Sequence, residues 1–146
     1  MLRTFEGHGI RFQYPDDWEL EETEIEPGWM VSVQSPDTAF MLLSLHPPEL
    51  SVDEVLEVTL AALRDDYREL EYEPVRQRIC RRQAKGYDIQ FVSMDLTNTC
   101  WVRSFRIPES TVLIMCQATD LEMEQAEPAL RAILASLQLT NDAEDA

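Results

Sequence analysis

The side chains best suited to nucleophilic chemistry are three cysteines, Cys80, Cys100 and Cys116. Their number is odd and no C-x-x-C spacing occurs, so the sequence indicates neither a disulfide framework nor a zinc site. A reactive thiolate needs a basic or positive neighbour that lowers its pKa, and only Cys80 lies close to arginines in the sequence. If the last two predicted strands pair about Pro108–Ser110, Cys100 and Cys116 lie diagonally on one face, about 7 Å apart, which is a poor distance for a disulfide. We therefore interpret all three cysteines as small buried hydrophobic residues.

Metal chemistry and acid–base chemistry find little support in the sequence. His8 and His46 are the only histidines, and a metal site would need them to come together with a carboxylate. The pairs Asp16–Asp17 and Asp65–Asp66 are adjacent, so their side chains diverge on a strand or a helix. The common phosphate-binding, dinucleotide-binding, zinc-protease and serine-hydrolase motifs are absent, and the chain has only four glycines. We predict a protein without catalytic residues, bound metal or cofactor, and hence not an enzyme.

Negative charge dominates the chain and is unevenly distributed. Twelve basic residues and 28 acidic ones give a net charge of −16. Such a charge repels nucleic acid phosphates and anionic lipid headgroups, so we expect neither as a partner. Residues 1–73 hold 18 acidic and 4 basic residues, a net charge of −14, whereas residues 74–146 hold 10 and 8, a net charge of −2.

Two charged clusters stand out within these halves. A glutamate run could bind a divalent cation weakly, but it lacks the spacing of a calcium loop and is more typical of a solvated strand. The run consists of Glu19, Glu21, Glu22, Glu24 and Glu26. The basic cluster consists of Arg76, Arg78, Arg81, Arg82 and Lys85. Because Arg76, Arg78 and Arg82 share one parity, we expect them to project from the same face of a strand.

Large aromatic residues supply candidates for protein recognition, because such residues dominate interface hot spots. Trp101 shares parity with Arg103 and Phe105, which would suit partner recognition on a sheet face. The alternative is that Trp101 is a core residue with Arg103 at the rim. Our candidate binding residues are Trp101, Arg103, Phe105, Trp29, Asp16 and Asp17.

Apolar residues that alternate with polar ones predict strands at the start of the chain. Large residues flank the turn Pro15–Asp17 at even positions, which predicts a hairpin with its large side chains in one core. These residues are Phe12, Tyr14, Trp18 and Leu20. The segments WMVSVQS and AFMLLSL predict two further strands joined at Pro36–Asp37, and the second is apolar enough to be covered on both faces.

The apolar period then changes to that of a helix, which a Ser51–Glu54 capping box begins. Its predicted apolar stripe is Leu56, Leu60, Leu63, Tyr67 and Leu70. An antiparallel meander follows, with predicted strands PVRQRICRR, YDIQFVSMD, CWVRSFRI and TVLIMCQA. Its predicted turns are Ala84–Gly86, Thr97–Thr99 and Pro108–Ser110.

A second helix is predicted from Asp120, as N-cap, to Leu139. Pro128 within this segment predicts either a kink or a new helix start. Together these elements predict an α+β fold, with an antiparallel sheet of about six to eight strands and two main helices in an α/β/α sandwich. We expect one domain over residues 1–139 and a disordered acidic tail over residues 140–146.

The order of these elements resembles the Mog1/PsbP-like superfamily from about Gly9 to Leu139. The local motifs that carry the resemblance are the corner Tyr14–Pro15 with Trp18, and a closing helix that contains Glu127–Pro128. The superfamily includes Ran-binding nuclear-transport regulators, extrinsic photosystem subunits and small bacterial cytosolic proteins, some of which are similar to adaptor chaperones for type VI secretion effectors. The resemblance implies the same sandwich, with Pro15 and Trp18 in a core corner and Asp16 and Asp17 at its solvated tip.

These observations favour a non-enzymatic protein-binding module that uses its sheet face or its acidic surface. The alternative is a small-ligand-binding protein or minor enzyme with a pocket between sheet and helix, lined by Arg103, Trp101 or Cys80. A homodimer through the apolar sheet is a third possibility. No apolar run is long enough for a signal peptide or a membrane span, so we expect a cytoplasmic location.

Overall fold

A computed structural model describes residues 1–25, 28–67 and 69–140 of the protein. The strands are β1 (Leu2–Gly7), β2 (Ile10–Pro15), β3 (Glu19–Ile25), β4 (Gly28–Gln34), β5 (Phe40–His46), β6 (Glu71–Ile79), β7 (Arg82–Ser93), β8 (Leu96–Ile107), β9 (Ser110–Thr119) and β10 (Gln138–Leu139). The helices are α1 (Val52–Asp66) and α2 (Asp120–Ser136). Seven strands form one antiparallel sheet in the order β3-β4-β5-β9-β8-β7-β6, and three form a small sheet in the order β1-β2-β10. The predicted α+β class, with two helices on an antiparallel sheet, is confirmed.

The large sheet carries a separate apolar core on each of its two faces. We call one the α1 face, toward which Cys100 and Val102 of β8 point, because α1 packs there over β7, β8 and β9. We call the other the α2 face, toward which Trp101 and Phe105 point, because α2 packs there together with the small sheet. Side chains of β8 point alternately to the two faces. The large sheet is therefore the middle of three layers, with α1 on one side and α2 with the small sheet on the other.

The corner at Pro15–Asp17 joins two sheets and is not the predicted hairpin. β2 pairs with β1 and β10, whereas β3 pairs with β4. The first hairpin lies earlier, between β1 and β2, where His8 and Gly9 have φ values of 53° and 80°. Trp18 is buried and Asp16 and Asp17 are exposed, as the family resemblance implied. The alternation of apolar residues was correct for burial but could not identify the pairing partner of each strand.

The meander is present, but two of its three turns lie elsewhere than predicted. Ala84–Gly86 lies inside β7 and Thr97–Thr99 inside β8. The actual turns are Cys80–Arg81 and Met94–Asp95, and all four residues have positive φ values between 52° and 66°. Two-residue hairpin loops of this kind usually contain glycine or asparagine, and neither residue type occurs at these turns to mark them in the sequence.

The turn at Cys80–Arg81 also separates the basic residues that were expected on one face. Arg76 pairs with Lys85, whereas Arg82 lies opposite Ile79, which belongs to the core of the α2 face. Arg82 therefore lies on the opposite face from Arg76 and Arg78, contrary to the prediction.

The same parity argument corrects the prediction for the cysteines. Cys116 lies opposite Trp101 on the α2 face, and Cys100 points into the core of the α1 face. The two thiols are thus on opposite faces, because the β8–β9 turn is one residue shorter than predicted. Burial raises the pKa of Cys100 to about 12 and raises that of Cys116 further, although Arg103 lowers both. These thiols are protonated core residues.

Both helices begin close to the predicted residues and end earlier. The Ser51 side chain caps α1 by accepting a hydrogen bond from the Glu54 amide at 3.1 Å. α1 ends at Asp66, and Tyr67 and Leu70 pack against its core from outside the helix. In α2 the N-cap is Thr119 and Pro128 lies within the helix rather than at a new start.

The end of the chain returns to the small sheet after α2. Leu139 lies in β10 opposite Ile10 of β2, and the Thr140 amide donates a hydrogen bond to the Gly9 carbonyl at 2.9 Å. The predicted helix up to Leu139 is therefore wrong over its last residues. Residues 141–146, which hold most of the predicted acidic tail, and Glu26 of the glutamate run lie outside the described residues.

Candidate functional site

The candidates on β8 are core residues and do not form an exposed surface. Trp101, Arg103 and Phe105 are only 7%, 6% and 1% exposed, because α2 and the small sheet cover this face of β8. The Arg131 guanidinium of α2 lies over the Trp101 ring, 4.7 Å from its centroid. The interpretation of these three residues as a partner-binding surface was wrong, and the alternative of a core Trp101 was right.

Arg103 is buried rather than at the rim, and its guanidinium is held by several acceptors. Its Nη2 forms a 2.7 Å ion pair with the Asp88 carboxylate, and its Nε donates to the Gln77 amide oxygen at 2.8 Å. Its Nη1 donates to the carbonyls of Tyr87 and Val102 at 3.1 Å. Each of the three guanidinium nitrogens of Arg103 thus has a protein partner, and this buried arginine serves the structure of the sheet.

Trp29 is likewise a core residue. It is 5% exposed, and its ring stacks against the rings of Phe5 and His8. The distances between ring centroids are 5.7 Å to Phe5 and 4.2 Å to His8. Trp18 is also buried. All three tryptophans therefore contribute to the interior, and a binding surface made of exposed tryptophan rings was a wrong expectation.

Asp16 and Asp17 are the candidates that lie at the surface. They border an open depression of about 750 Å³ beside the corner between the two sheets. The depression is also lined by Glu19 and Glu21 of β3, and by Ser32 of β4. Four carboxylates at one opening outnumber its one cation, Arg3, and give this end of the molecule a local negative potential.

The sheet next to this depression is only partly covered, and sequence reasoning missed this feature. α1 packs over β7, β8 and β9, which leaves the α1 face of β4 and β5 beside it. Four half-buried residues there, together with Met115 of β9, which also packs against the edge of the α1 core, form what we call the open face: Met30, Ser32, Phe40, Leu42 and Met115. The apolar sequence of β5 predicted a strand covered on both faces. The half-buried residues on its α1 face show that this prediction is wrong for that face.

The register places Leu42 at the centre of the open face. Leu42 lies directly between Ser32 of β4 and Met115 of β9. Met30 of β4 is the diagonal neighbour of Leu42, and Phe40 lies two residues before Leu42 on β5 itself. Side chains at such positions are within reach of one another, so the residues form a continuous apolar surface. Ser32 connects this surface to the acidic depression.

One end of the open face is occupied by a polar pair that carries no charge. The Ser44 hydroxyl lies 2.9 Å from His46 Nε2, and burial lowers the pKa of His46. The imidazole is therefore neutral at physiological pH. The charged side chains in the depression that adjoins the open face are four carboxylates and Arg3.

The interfaces between sheet and helices are filled by side chains. Leu130, Ile133 and Phe105 are almost fully buried between α2 and the sheet. A shallow depression of about 410 Å³ does lie between the first turn of α1 and strands β6 and β7, where Arg76 and Lys85 line it. The alternative function predicted a pocket between sheet and helix lined by Arg103, Trp101 or Cys80. Of these three residues, Trp101 lines an open depression of about 640 Å³, whose other lining residues belong to β6, β7 and β8.

Among the described residues, no group of three or more His, Cys, Asp or Glu side chains is arranged to hold a metal ion. Within residues 1–25, 28–67 and 69–140, neither helix has the length and apolar character needed to cross a membrane.

Comparison with known proteins identifies the fold and no specific activity. No protein-family model and no curated protein sequence matches the chain. Solved structures do match, with low sequence identity. The cyanobacterial PsbP of Synechocystis superposes with a TM-score of 0.66 at 9% identity, over 94% of this chain and 92% of that one.

Two other structures extend the comparison. A mutant of the protein Mog1 matches with a TM-score of 0.58 at 12% identity, over 100% of both chains. A Pseudomonas aeruginosa protein of unknown function, PA94, described as a putative regulator, matches with a TM-score of 0.56 at 12% identity, over 92% of this chain and 94% of that one. Similarity at this level of identity establishes architecture rather than activity. The chain has the Mog1/PsbP-like fold, as the order of its sequence elements predicted.

Proposed function

We propose that this protein is a non-enzymatic binding module that holds an apolar segment of another protein on the open face. The observation that carries the proposal is the set of half-buried apolar side chains around Leu42, on a part of the sheet beside α1. Contiguous apolar surface with a polar rim is typical of protein interaction sites.

The charge of the rim defines the chemistry of the partner. Asp16, Asp17, Glu19 and Glu21 border the depression that adjoins the open face. Opposite charges across an interface increase the rate of association and select against wrong partners. We infer that the partner segment has apolar residues for the open face and basic residues beside them.

The absence of enzyme motifs in the sequence and the filled sheet–helix interfaces support a binding role rather than catalysis. An adaptor or chaperone role in the cytoplasm, such as the family resemblance implied for small bacterial members, fits a surface that holds an apolar segment. It also fits a high net negative charge, which keeps a protein with exposed apolar residues soluble.

Affinity capture from the native cells with matched variants tests the proposal. Leu42→Asp places a charge at the centre of the open face, and Val92→Asp places the same charge at a 57%-exposed valine on the other face of the sheet. Burial of one large apolar side chain contributes about 1.5–3 kcal/mol, so the loss at Leu42 corresponds to about tenfold or more in affinity. We expect the wild type and Val92→Asp to capture the same protein, and Leu42→Asp to lose it while its thermal unfolding stays cooperative.

Two results would contradict the proposal. Capture that is equal for Leu42→Asp and Val92→Asp would place the binding surface elsewhere. A wild-type dimer that Leu42→Asp dissociates would make the open face an interface between two copies of this chain, and sedimentation at two concentrations detects it.

A further inference from the structure

The free edge of β6 carries arginines that lack carboxylate partners among the described residues. β6 is the last strand of the large sheet, and Arg76 and Arg78 are exposed on its α1 face. Of the basic side chains beside them, Lys85 forms a 3.3 Å ion pair with Asp53. Arg78 donates only to the Arg81 carbonyl, at 3.2 Å. This cluster is unusual because the chain has more than twice as many acidic as basic residues.

The geometry of the β6–β7 hairpin directs the main chain of the same two arginines outward. Its loop, Cys80–Arg81, has two residues with φ values of 54° and 66°, which is the pattern of a two-residue hairpin loop. In such a hairpin the flanking residues Ile79 and Arg82 exchange hydrogen bonds, and alternate residues of the strand then point toward the partner strand. The N–H and C=O groups of Arg78 and Arg76 therefore point away from β7.

Pro74 supports this assignment independently. A proline inside a strand is tolerated where its missing N–H faces away from the sheet, on an edge. Pro74 has the same parity as Arg76 and Arg78, so all three residues direct their main chain outward. Pro74 also ends the stretch that can accept another strand, because it offers no donor. The usable edge is thus residues 75–79.

Arg76 and Lys85 face each other directly across β6 and β7. Like charges at such positions destabilise a sheet. Both side chains line the depression of about 410 Å³ between this edge and the first turn of α1, together with Asp53. The Asp53 carboxylate in this depression already pairs with Lys85, so an additional anionic group there would interact with Arg76.

We propose that the β6 edge binds an extended acidic segment of a partner protein by strand addition. In an added strand, the residues opposite Arg76 and Arg78 lie on the α1 face and are two positions apart. The segment therefore has acidic residues at alternate positions. This site is separate from the open face and does not depend on the function proposed for that face.

A short acidic segment fits this edge better than a nucleic acid does. The cationic stretch is only as long as residues 75–79, and it is flanked by Glu71 and Glu73 beyond Pro74. Screening limits the effect of more distant carboxylates to about 8–10 Å at physiological ionic strength. A peptide strand can use both the outward main chain and the two guanidinium groups, whereas a phosphate backbone can use only the charges.

Fluorescence anisotropy with a labelled synthetic peptide tests the proposal. The probe peptide alternates glutamate with valine, and the control peptide has the same composition with its glutamates contiguous. We expect the alternating peptide to bind and the contiguous peptide to bind about tenfold more weakly. Arg76→Gln with Arg78→Gln should weaken binding of the alternating peptide about tenfold, because it removes both guanidinium groups that pair with the glutamates.

A variant with the same change of net charge is the control. Arg3→Gln with Arg11→Gln removes two exposed cations from the small sheet and should leave the affinity for the peptide unchanged. Hydrogen exchange distinguishes strand addition from charge attraction alone. If the peptide pairs with the edge, it should slow exchange at the amides of Arg76 and Arg78.

Three results would overturn the proposal. The first is equal affinity for both peptides, and the second is unchanged exchange at Arg76 and Arg78 in the bound state. The third is tighter binding of a single-stranded oligonucleotide than of the peptide, which would make the edge a phosphate-binding surface instead.

Discussion

At the scale of single residues, Glu122 holds the start of α2 against the loop between β4 and β5. Its carboxylate accepts hydrogen bonds from the Ser35 hydroxyl and the Thr38 amide, both at 2.7 Å, and from the Thr38 hydroxyl at 2.5 Å. Burial raises the pKa of Glu122, but these hydrogen bonds from Thr38 and Ser35 outweigh it, so that the pKa lies below its usual range. The charged form is therefore the one that stabilises the fold.

This shift predicts a pH dependence with a definite sign. A carboxylate whose pKa is lowered by folding contributes stability above its unfolded pKa, and that contribution is lost as the pH falls through the lowered folded pKa. Glu122→Gln should cost about 1–2 kcal/mol of unfolding free energy near neutral pH, because it removes charge-assisted hydrogen bonds. Urea unfolding measured from about pH 7 to about pH 3 should show the difference from wild type shrinking with acidity.

Glu124→Gln is the matched control on the same helix, since Glu124 is exposed. It should change the unfolding free energy by less than about 0.5 kcal/mol. A Glu122→Gln deficit that stays constant down to the lowest pH would show that the carboxylate charge is not what stabilises the loop.

Arg103 predicts a second residue-scale effect, on stability rather than on binding. Arg103→Met should lower the unfolding free energy by about 3 kcal/mol, because it leaves the Gln77 amide, two carbonyls and the Asp88 carboxylate without their donor. The Asp88 side chain is 45% exposed, so water can hydrogen-bond to its carboxylate and reduce the loss of unfolding free energy. Arg103→Lys should recover little, since one ammonium group cannot reach all these acceptors. A chemical denaturation curve equal to that of wild type would contradict this account of Arg103.

At the scale of elements, Gly86 allows β7 and β8 to approach closely. Gly86 lies inside β7 opposite Arg103, and a Cβ atom there would collide with the Val102 carbonyl oxygen. Glycine is required here for close approach of two backbones rather than for a turn. The sequence could not distinguish these two roles, and we had predicted a turn that includes Gly86.

Gly86→Ala should therefore separate β7 from β8 and destabilise the sheet by about 3 kcal/mol or more. Gly7→Ala is the milder control, because the new Cβ would meet only the Phe5 ring, at 3.0 Å. Thermal unfolding of the two variants under identical conditions measures the difference. Equal melting temperatures would contradict the role assigned to Gly86.

The elements that sequence reasoning identified correctly are those with a local physical signal. The Ser51–Glu54 box located the start of α1, and alternation located buried residues such as Phe12 and Val33. The errors arose where the signal is not local. The pairing partner of β2 depends on β10, which lies at the far end of the chain. The turns at Cys80–Arg81 and Met94–Asp95 carry no glycine or asparagine to mark them.

At the scale of the whole molecule, the candidate site follows from how the layers cover the sheet. Sequence periodicity predicted an apolar β5 and an amphipathic α1, but it could not predict that α1 lies over β7, β8 and β9 and leaves the region around Leu42 half-buried. The aromatic candidates Trp29, Trp101 and Phe105 were chosen by residue type, and all three are core residues. Asp16 and Asp17 were identified correctly as surface residues because a Pro-Asp-Asp turn is a local signal.

The charge of the molecule and its fold act together in the proposed function. The front half supplies the acidic rim beside the open face, and the β6 edge holds a separate cationic stretch at Arg76 and Arg78. The two edges of the sheet, β3 and β6, are thereby marked by opposite charges. The like charges on each edge also discourage two copies of the protein from pairing through the same edge.

The most direct test of the central claim uses the methionine methyl groups as reporters of the partner's position. The chain has six methionines, of which Met30 and Met115 lie on the open face, Met41 is buried, and Met94 is 93% exposed at the β7–β8 turn. NMR spectra of isotope-labelled methionine methyl groups should be recorded for the protein alone and in its captured complex. We predict that the Met30 and Met115 signals shift or broaden in the complex while the Met94 signal stays unchanged. A complex that moves the Met94 signal and leaves those of Met30 and Met115 in place would contradict the account.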